Sequence, residues 1–175
     1  MSQRPVEQVA LVDDTGAVVG SAPRSVMRRD NLPHVVVAVL VRDPAGRVYV
    51  HRRTETKDVF PGLHDAFVAG CLLSGEEPLA AAARELAEEL GITGVRLHPL
   101  LSEWYADAST RHLCHVWTTT YDGPVTHQVE EIAWGAWITV EDLRTHLADP
   151  TGPLTPFVPD GRALLERLLA VGHLA

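Results

Sequence analysis

The sequence predicts an α/β protein in which helices cover both sides of a mixed β-sheet. Short apolar or alternating segments, the clearest being His34–Arg42, are interleaved with amphipathic helical segments. Turn residues such as Pro44 and Gly46 separate these segments. A chain of 175 residues is long enough to bury a core of its own. We therefore expect a single domain over residues 1–175.

The elements follow one another without an internal repeat, a low-complexity tract or a domain-sized linker. An N-terminal hairpin is expected over residues 6–20, around an Asp-Asp-Thr-Gly turn. The elements predicted after it are a helix over 24–30, strands over 34–42, 47–53 and 65–70, a helix over 77–90, strands over 95–105, 111–121 and 132–138, and helices over 140–147 and about 160–170. A polar loop over 54–63 and a proline-rich segment over 149–159 complete the chain.

Composition and charge narrow the functional classes. The net charge of −8 argues against a general surface for nucleic acid or an anionic membrane. No apolar run approaches the ~20 residues that span a bilayer, and the N-terminus lacks a signal-peptide apolar region. Because Cys71 and Cys114 lie in apolar contexts, we expect reduced thiols and a cytoplasmic protein. The nine histidines show no zinc-type spacing.

The helix predicted over 77–90 carries three carboxylates on one side. Glu85, Glu88 and Glu89 stand at i, i+3 and i+4, where like charges repel by roughly 0.2–0.5 kcal/mol per pair. Glu88 and Glu89 also lie near the C-terminal end, where the helix dipole disfavours negative charge. A divalent cation bound by these oxygens would turn the repulsion into attraction, so the segment is a candidate metal site. A solvated acidic helix face is the alternative.

The same spacing predicts which side of this helix is buried. At about 100° per residue, the apolar residues on one side are Leu79, Ala82, Ala83, Leu86 and Leu90. The other side, which carries Ala81 and the three glutamates, is expected to face outward. Pro78 suits the first turn, and Gly91 is the expected C-terminal cap.

The flanks of the helix extend this pattern. Gly70, five residues, Glu76, seven residues and then the run from Arg84 to Ile92 fit G-x5-E-x7-R-E-U-x-E-E-x-G-U, where U is a bulky aliphatic residue. Every defined position is filled, which rarely happens by chance at fixed spacing. On residues 70–92 the chain resembles the Nudix hydrolase superfamily. The resemblance implies an α/β/α sandwich and hydrolysis of a diphosphate that is linked to another group.

The resemblance also implies roles for the matching residues. Glu85, Glu88 and Glu89 would hold Mg²⁺ or Mn²⁺, with the backbone carbonyl of Gly70 as a further ligand. Few carboxylates are needed, because Mg²⁺ keeps several waters. Arg84 would hold the carboxylates in place, so Arg84, Glu85 and Glu88 are the catalytic residues expected on this helix. The ion would bridge phosphate oxygens and lower the pKa of a bound water.

The general base is left open between the signature helix and a later loop. Glu130 and Glu131 precede the strand that ends near Trp137, where such a loop would lie, and we prefer Glu131. Simple solvation of the loop is the alternative for both residues.

Groups that could contact the rest of the substrate lie outside the signature. Arg52, Arg53 and Lys57 form the clearest local basic cluster and could bind substrate phosphates. The alternative is that alternate strand residues point into solvent. The aromatic residues Trp104, Tyr105 and Trp134 could stack on a base or belong to the core.

Residues 6–148 further resemble a subgroup that contains isopentenyl-diphosphate isomerase, and within it the bacterial hydrolases of the YfcD type. Ala69 stands where the isomerase has its catalytic cysteine. Cys71 and Met27 replace two of its metal-binding histidines, whereas His34 matches one. We therefore prefer hydrolysis over isomerisation. An allylic diphosphate isomerase and a non-catalytic diphosphate-binding module remain the alternatives.

The expected partner is a small nucleoside-diphosphate-like or other diphosphate. The sequence does not choose among nucleotide, sugar-nucleotide, coenzyme and prenyl diphosphates. A homodimer is a further assembly that the resemblance allows, since homodimers are common in the superfamily.

Overall fold

The computed structural model describes residues 6–154 and 156–174, which contain a nine-stranded mixed sheet and four helices. The strands are β1 Gln8–Val12, β2 Val18–Pro23, β3 His34–Arg42, β4 Val48–Arg53, β5 His64–Asp65, β6 Phe67–Cys71, β7 His98–Ala106, β8 Arg111–Thr120 and β9 Ile132–Ile138. The helices are α1 Arg24–Arg29, α2 Pro78–Leu90, α3 Val140–Ala148 and α4 Pro159–Ala170. None of these helices combines the length and apolar character that crossing a membrane requires.

Strand β3 connects the parts of the sheet. It pairs in parallel with β8, from His34 opposite His112 to Arg42 opposite Thr120, and antiparallel with β6. The β1–β2 hairpin is antiparallel and meets β3 at Leu11. β4 pairs antiparallel with β5 and β9, and β7 pairs antiparallel with β8. The mixed sheet predicted from the sequence is therefore confirmed.

Alternate residues of β3 point to opposite sides of the sheet, and each side has its own core. Val35, Val37 and Val39 pack on the side that α2 covers. Ala38 and Leu40 pack on the side that α3 and α4 cover. Burial on both faces explains why β3 is an almost continuous apolar run. This arrangement confirms the predicted α/β/α sandwich.

Some element boundaries differ from the predicted ones. The hairpin extends beyond residue 20, because β2 continues to Pro23. The strand predicted over 65–70 is divided at Ala66 into β5 and β6. At this break the carboxylate of Asp65 accepts a hydrogen bond of 3.0 Å from the backbone N–H of Phe67. The hydrogen bond turns the chain locally, which an apolar pattern alone does not reveal.

The buried side of α2 differs from the predicted one. Leu79, expected in the core, is 53% exposed, and Ala83 is exposed as well. Ala81 and Glu89, expected to face outward, are only 0% and 6% exposed, whereas Glu88 is exposed as predicted. Short alanines occur around this part of the helix and carry little information about its orientation, so the apolar pattern alone does not determine which side is buried. The buried stripe is rotated toward the acidic side.

Candidate functional site

Helix α2, which carries the three glutamates, has two well-defined ends. Pro78 occupies the first turn, and Gly91 caps the C-terminus in the left-handed conformation with φ of 67°. The N–H of Gly91 donates to the carbonyl oxygen of Ala87 at 3.1 Å. Both predicted termini are confirmed. The positive φ favours glycine, and the resulting stop determines how far the acidic side extends.

Arg84 binds the side chains of three glutamates. Its Nε and Nη2 donate to the two carboxylate oxygens of Glu76 at 2.8 and 3.0 Å. Its Nη1 donates to Glu85 at 2.6 Å and to Glu88 at 3.4 Å. The hydrogen bonds with Glu76 raise the pKa of Arg84 and lower the pKa of Glu76. Arg84 therefore ties the loop before α2 to the helix and orients Glu85.

Gly70 lies directly beside the carboxylate of Glu85. A Cβ atom built on Gly70 would stand 2.0 Å from the Oε1 atom of Glu85. Gly70 belongs to β6 and pairs with Val37 of β3, so the sheet holds its backbone in place. Only glycine leaves room for this close approach. The backbone of β6 and the first glutamate of α2 thus form one adjacent set of oxygen donors.

Glu89 is the buried member of the acidic set. Its burial raises its pKa well above the usual value, and the charges of Glu85 and Glu131 raise it further. Lys57 and Arg53 act in the opposite direction but do not offset these effects. A buried carboxylate among like charges is unfavourable unless a cation compensates it.

The donor set fits a hard divalent cation. Burial raises the pKa of Glu85 as well, so Glu85 and Glu89 are interacting carboxyl groups whose ionised forms a divalent ion would stabilise. Within residues 6–154 and 156–174, no three His, Cys, Asp or Glu side chains converge as a ready metal-binding group. Arg84 instead engages one oxygen of Glu85. Glu85 thus lies beside Gly70, Glu89 is buried, and Glu88 is exposed.

The loop before β9 brings Glu131 to the acidic end of α2. The N–H of Gln128 donates to the carbonyl oxygen of Glu89 at 2.9 Å and attaches this loop to the helix. Glu131 is half-buried and forms an ion pair with Lys57, whereas Glu130 is exposed. The predicted base and one predicted phosphate ligand are therefore direct neighbours.

The two arginines at the end of β4 point in different directions, because alternate strand residues face opposite sides. Arg53 lines a cavity beside Gly70. Arg52 donates to the carbonyl oxygen of Gly62 at 2.9 Å and is absent from the cavity lining. The structure thus brings Arg53 and Lys57 toward the acidic site, but not Arg52.

Two arginines of α1, which the sequence did not single out, line the same cavity. Arg24 pairs with Glu7 at 3.0 Å, and Arg28 pairs with Asp58. Burial, followed by the charges of Arg24 and Arg53, lowers the pKa of Arg28. The buried Nε of Arg24 has no hydrogen-bond partner among the described residues. Three guanidinium groups thus line this cavity, and one of them has an N–H donor without a partner among the described residues. This arrangement favours the binding of an anion.

The cavity itself has a volume of about 210 Å³ and extends from Gly70 to His112 and Asp160. The aromatic residues considered for stacking, Trp104, Tyr105 and Trp134, are absent from its lining. Trp104 and Trp134 are instead partly exposed, at 38% and 42%. They are therefore neither core residues nor part of this cavity.

Ala69 and Cys71 also line the cavity. Both cysteines of the chain are free, as expected. Burial raises the pKa of the Cys71 thiol, which disfavours the reactive thiolate. The cavity thus lacks an activated sulfur nucleophile at this position.

Known proteins resemble this chain along most of its length. The NUDIX domain family matches residues 32–160. A Nudix hydrolase of Rhodococcus erythropolis, orf19, is 47% identical over 169 residues, covering 91% of this chain and 90% of the relative. The Nudix hydrolase YfcD of Escherichia coli K12 is 34% identical over 158 residues, covering 88% and 82%. The crystal structure of DR0079 from Deinococcus radiodurans matches with a TM-score of 0.77 and 26% identity, covering 92% of this chain and 98% of that one.

Proposed function

Because the chain belongs to the Nudix hydrolase family, we propose that it is a metal-dependent enzyme that cleaves the phosphoanhydride bond of a small diphosphate. The family acts on diphosphate-containing substrates in general. The single observation that carries the metal dependence is the buried carboxylate of Glu89, whose pKa is raised by burial and by Glu85 and Glu131. A divalent cation is the partner that would stabilise such a charge.

The metal ligands would be Gly70, through its carbonyl oxygen, and Glu85, Glu88 and Glu89. Mg²⁺ or Mn²⁺, when bound, supplies charge neutralisation on phosphate oxygens and a more acidic water. Arg84 would act as a positioning residue, since its 2.6 Å hydrogen bond holds Glu85 beside Gly70. This role requires a planar guanidinium, because its several N–H donors contact more than one carboxylate at once.

Glu131 would accept the proton from the attacking water. Its ion pair with Lys57 holds the carboxylate at the acidic end of α2, where a general base could reach a water. Its charge also acts on Glu89, so the proposed base lies near the proposed ligands. Support for this role is thus electrostatic and positional.

The substrate phosphates would be bound by Arg53 and Lys57, together with Arg24 and Arg28 of α1. Arg24, Arg28 and Arg53 line the cavity beside Gly70, and the fork of donors on each matches phosphate oxygens. Arg52 stays a prediction without a contact to this cavity. Hydrolysis next to the cavity would leave the organic group and one phosphate inside it.

A hydrolysis screen in ¹⁸O-labelled water with Mg²⁺ tests the proposal. The panel contains nucleotide, sugar-nucleotide, coenzyme and prenyl diphosphates, and mass analysis of the products shows which phosphorus was attacked. We expect Glu89→Gln to remove most turnover. The matched control is Glu77→Gln, which changes an exposed glutamate just before α2 and should keep wild-type rates. Wild-type turnover by Glu89→Gln on a confirmed substrate would contradict the metal assignment.

The two alternatives give different results in the same screen. An isomerase would rearrange isopentenyl diphosphate without releasing phosphate. A binding module would bind one diphosphate tightly and hydrolyse none of them. The relatives are named as hydrolases and support neither alternative.

Two further expectations belong to the proposal. A cytoplasmic location is consistent with the free thiols of Cys71 and Cys114. A homodimer is suggested only by its frequency in the superfamily. Fractionation of the producing cells and light scattering of the purified chain would test them.

A further inference from the structure

Two chemically different sets of polar side chains line the cavity beside Gly70. Arg24, Arg28 and Arg53 form the set that is proposed to bind the phosphates. The other set, here called the inner end, consists of His34, His112, Asp65 and Asp160, and Arg53 acts electrostatically on both of its carboxyl groups. The parallel register of β3 and β8 places His34 directly opposite His112, with ring centroids 5.6 Å apart.

The histidines of the inner end are buried and neutral at pH 7. His34 is 4% exposed and His112 is 2% exposed. Burial lowers the pKa of each to about 4. The Nδ1 atom of His34 lies 2.9 Å from the carbonyl oxygen of Leu32 and must therefore carry the proton that it donates. In a neutral ring this leaves Nε2 as an acceptor, and it has no hydrogen bond within residues 6–154 and 156–174.

The carboxyl groups add further acceptors. One oxygen of Asp160 accepts from the N–H of Gly161 at 3.0 Å. Its other oxygen lies 3.8 Å from Nε2 of His112, which is too long for a hydrogen bond. Asp65, only 6% exposed, uses one oxygen for the N–H of Phe67. The inner end thus offers a ligand several acceptors that the fold itself does not fully use.

We propose that this inner end selects the organic group of the substrate, and that the group is small and hydroxylated, such as a pentose or a comparable polyol. The inference rests on the proposed function, because the diphosphate must reach Gly70 for the organic group to enter the cavity. Hydroxyl donors would satisfy His34 and Asp160, whereas a prenyl chain would bury them against hydrocarbon. Sites built to hydrogen-bond a hydroxyl reject analogues that lack it by large factors.

The size of the cavity and its walls argue against a large or aromatic organic group. Its volume of about 210 Å³ is below the range of roughly 300–1,000 Å³ that is usual for drug-sized ligands. Among the described residues that line the cavity, Phe60 is the only Phe, Tyr or Trp. A nucleobase would find little stacking surface here.

Two five-carbon diphosphates test the inference directly. Ribose 5-diphosphate and dimethylallyl diphosphate carry the same leaving phosphate and differ in their hydroxyl groups. We measure kcat/KM for phosphate release from each with the Mg²⁺-loaded enzyme. A preference of at least about 100-fold for the ribose compound is expected. Equal rates, or a preference for the prenyl compound, would overturn the inference.

Variants assign the preference to the inner end. His34→Leu removes the acceptor and should reduce the preference about tenfold, whereas His34→Gln restores an acceptor and should recover part of it. Asp160→Asn keeps the size of the side chain and should also reduce the preference. Circular dichroism checks that each variant is folded. An unchanged preference in the folded variants would show that another part of the molecule selects the organic group.

A binding measurement separates this inference from the proposed function. If no diphosphate is hydrolysed, the proposed function fails. Calorimetric titration with the methylene-bridged analogues of the two compounds then still decides the inference. Tighter binding of the ribose analogue, weakened in His34→Leu, would support it, and equal affinities would overturn it.

Discussion

The buried carboxylate of Glu89 is expected to serve metal binding and to destabilise the metal-free fold. Burial and the charges of Glu85 and Glu131 raise its pKa, so its ionised form destabilises the metal-free fold. Because its folded pKa lies above the unfolded value, this destabilisation appears as the pH rises through the raised pKa. We expect Glu89→Gln to lower kcat at least roughly tenfold and yet raise the melting temperature without metal. Scanning fluorimetry at pH 5 and pH 8 should show the larger gain at pH 8.

The exposed Glu77 provides the control for this measurement, since it lies at the start of the same helix. Glu77→Gln should leave both the rate and the melting temperature unchanged. A lower melting temperature for Glu89→Gln at both pH values would mean that the ionised carboxylate stabilises the fold.

Asp65 should make the stability of the metal-free protein depend on pH. Burial, followed by the charge of Asp160, raises its pKa from 3.8 to about 7. Between these values the folded chain keeps a proton that the unfolded chain has lost, so the free energy of unfolding falls as the pH rises. We expect Asp65→Asn to abolish this fall in the free energy of unfolding, which is on the order of a few kcal/mol. Urea unfolding from pH 4 to pH 8 measures it.

The asparagine variant keeps an oxygen for the hydrogen bond from Phe67, so its loss of charge can be measured separately from a loss of structure. Asp122→Asn, at an exposed residue between β8 and β9, is the matched control and should keep the wild-type pH dependence. Identical slopes for Asp65→Asn and the wild type would show that Asp65 does not titrate in this range.

Contacts within a short stretch could be predicted from spacing. The pairing of Arg84 with Glu76 and Glu88 follows from a single helix and the turn before it. The approach of Arg24 and Arg28 could not be predicted, because they are distant in the chain and reach the cavity only when α1 packs. Their i, i+4 spacing on one short helix was the available signal.

In helix α2, the two ends follow from the local sequence, whereas the side that is buried depends on tertiary packing. Pro78 and Gly91 determined its two ends, because each residue has a conformational reason for its position. Its rotation depends on packing against β6 and β3. The apolar pattern placed Leu79 inside and Ala81 outside, whereas the packed helix has the reverse. The acidic side was therefore recognised, but the burial of Glu89 was not.

The contact between β6 and α2 predicts the effect of one methyl group. In Gly70→Ala the new Cβ would stand 2.0 Å from Glu85, so the carboxylate must move. We expect a folded protein whose kcat/KM falls on the order of 100-fold, since a displacement of about 1 Å in a site can have that effect. Assays over a range of Mg²⁺ concentrations should also show weaker apparent metal affinity.

Gly20→Ala is the control, because a Cβ on Gly20 in β2 meets nothing within 4 Å. It should retain the activity and the Mg²⁺ dependence of the wild type. A Gly70→Ala variant with the same Mg²⁺ dependence as Gly20→Ala would remove Glu85 from the set of ligands.

For the molecule as a whole, the fold class followed from the order of the elements, but the arrangement of the cavity did not. The apolar run of β3 indicated burial on both faces, which requires helices on both sides. The parallel pairing of β3 with β8 joins distant parts of the chain, and no local pattern determines its register. That register places His34 beside His112, so the inner end of the cavity exists only in the folded chain.

Mg²⁺ should stabilise the whole chain if it binds the folded state at the signature site. At 100 times its Kd, an ion adds about 2.7 kcal/mol to the free energy of unfolding, or roughly 5–11 °C in melting temperature for a chain of this size. We expect this shift between EDTA and Mg²⁺ for the wild type and Glu77→Gln, but not for a Glu85→Gln/Glu89→Gln double variant. Potassium chloride at matched ionic strength controls for screening of the net charge of −8. Equal shifts in all three proteins would locate the stabilising ions away from α2 and leave Glu89 without the cation that its burial requires.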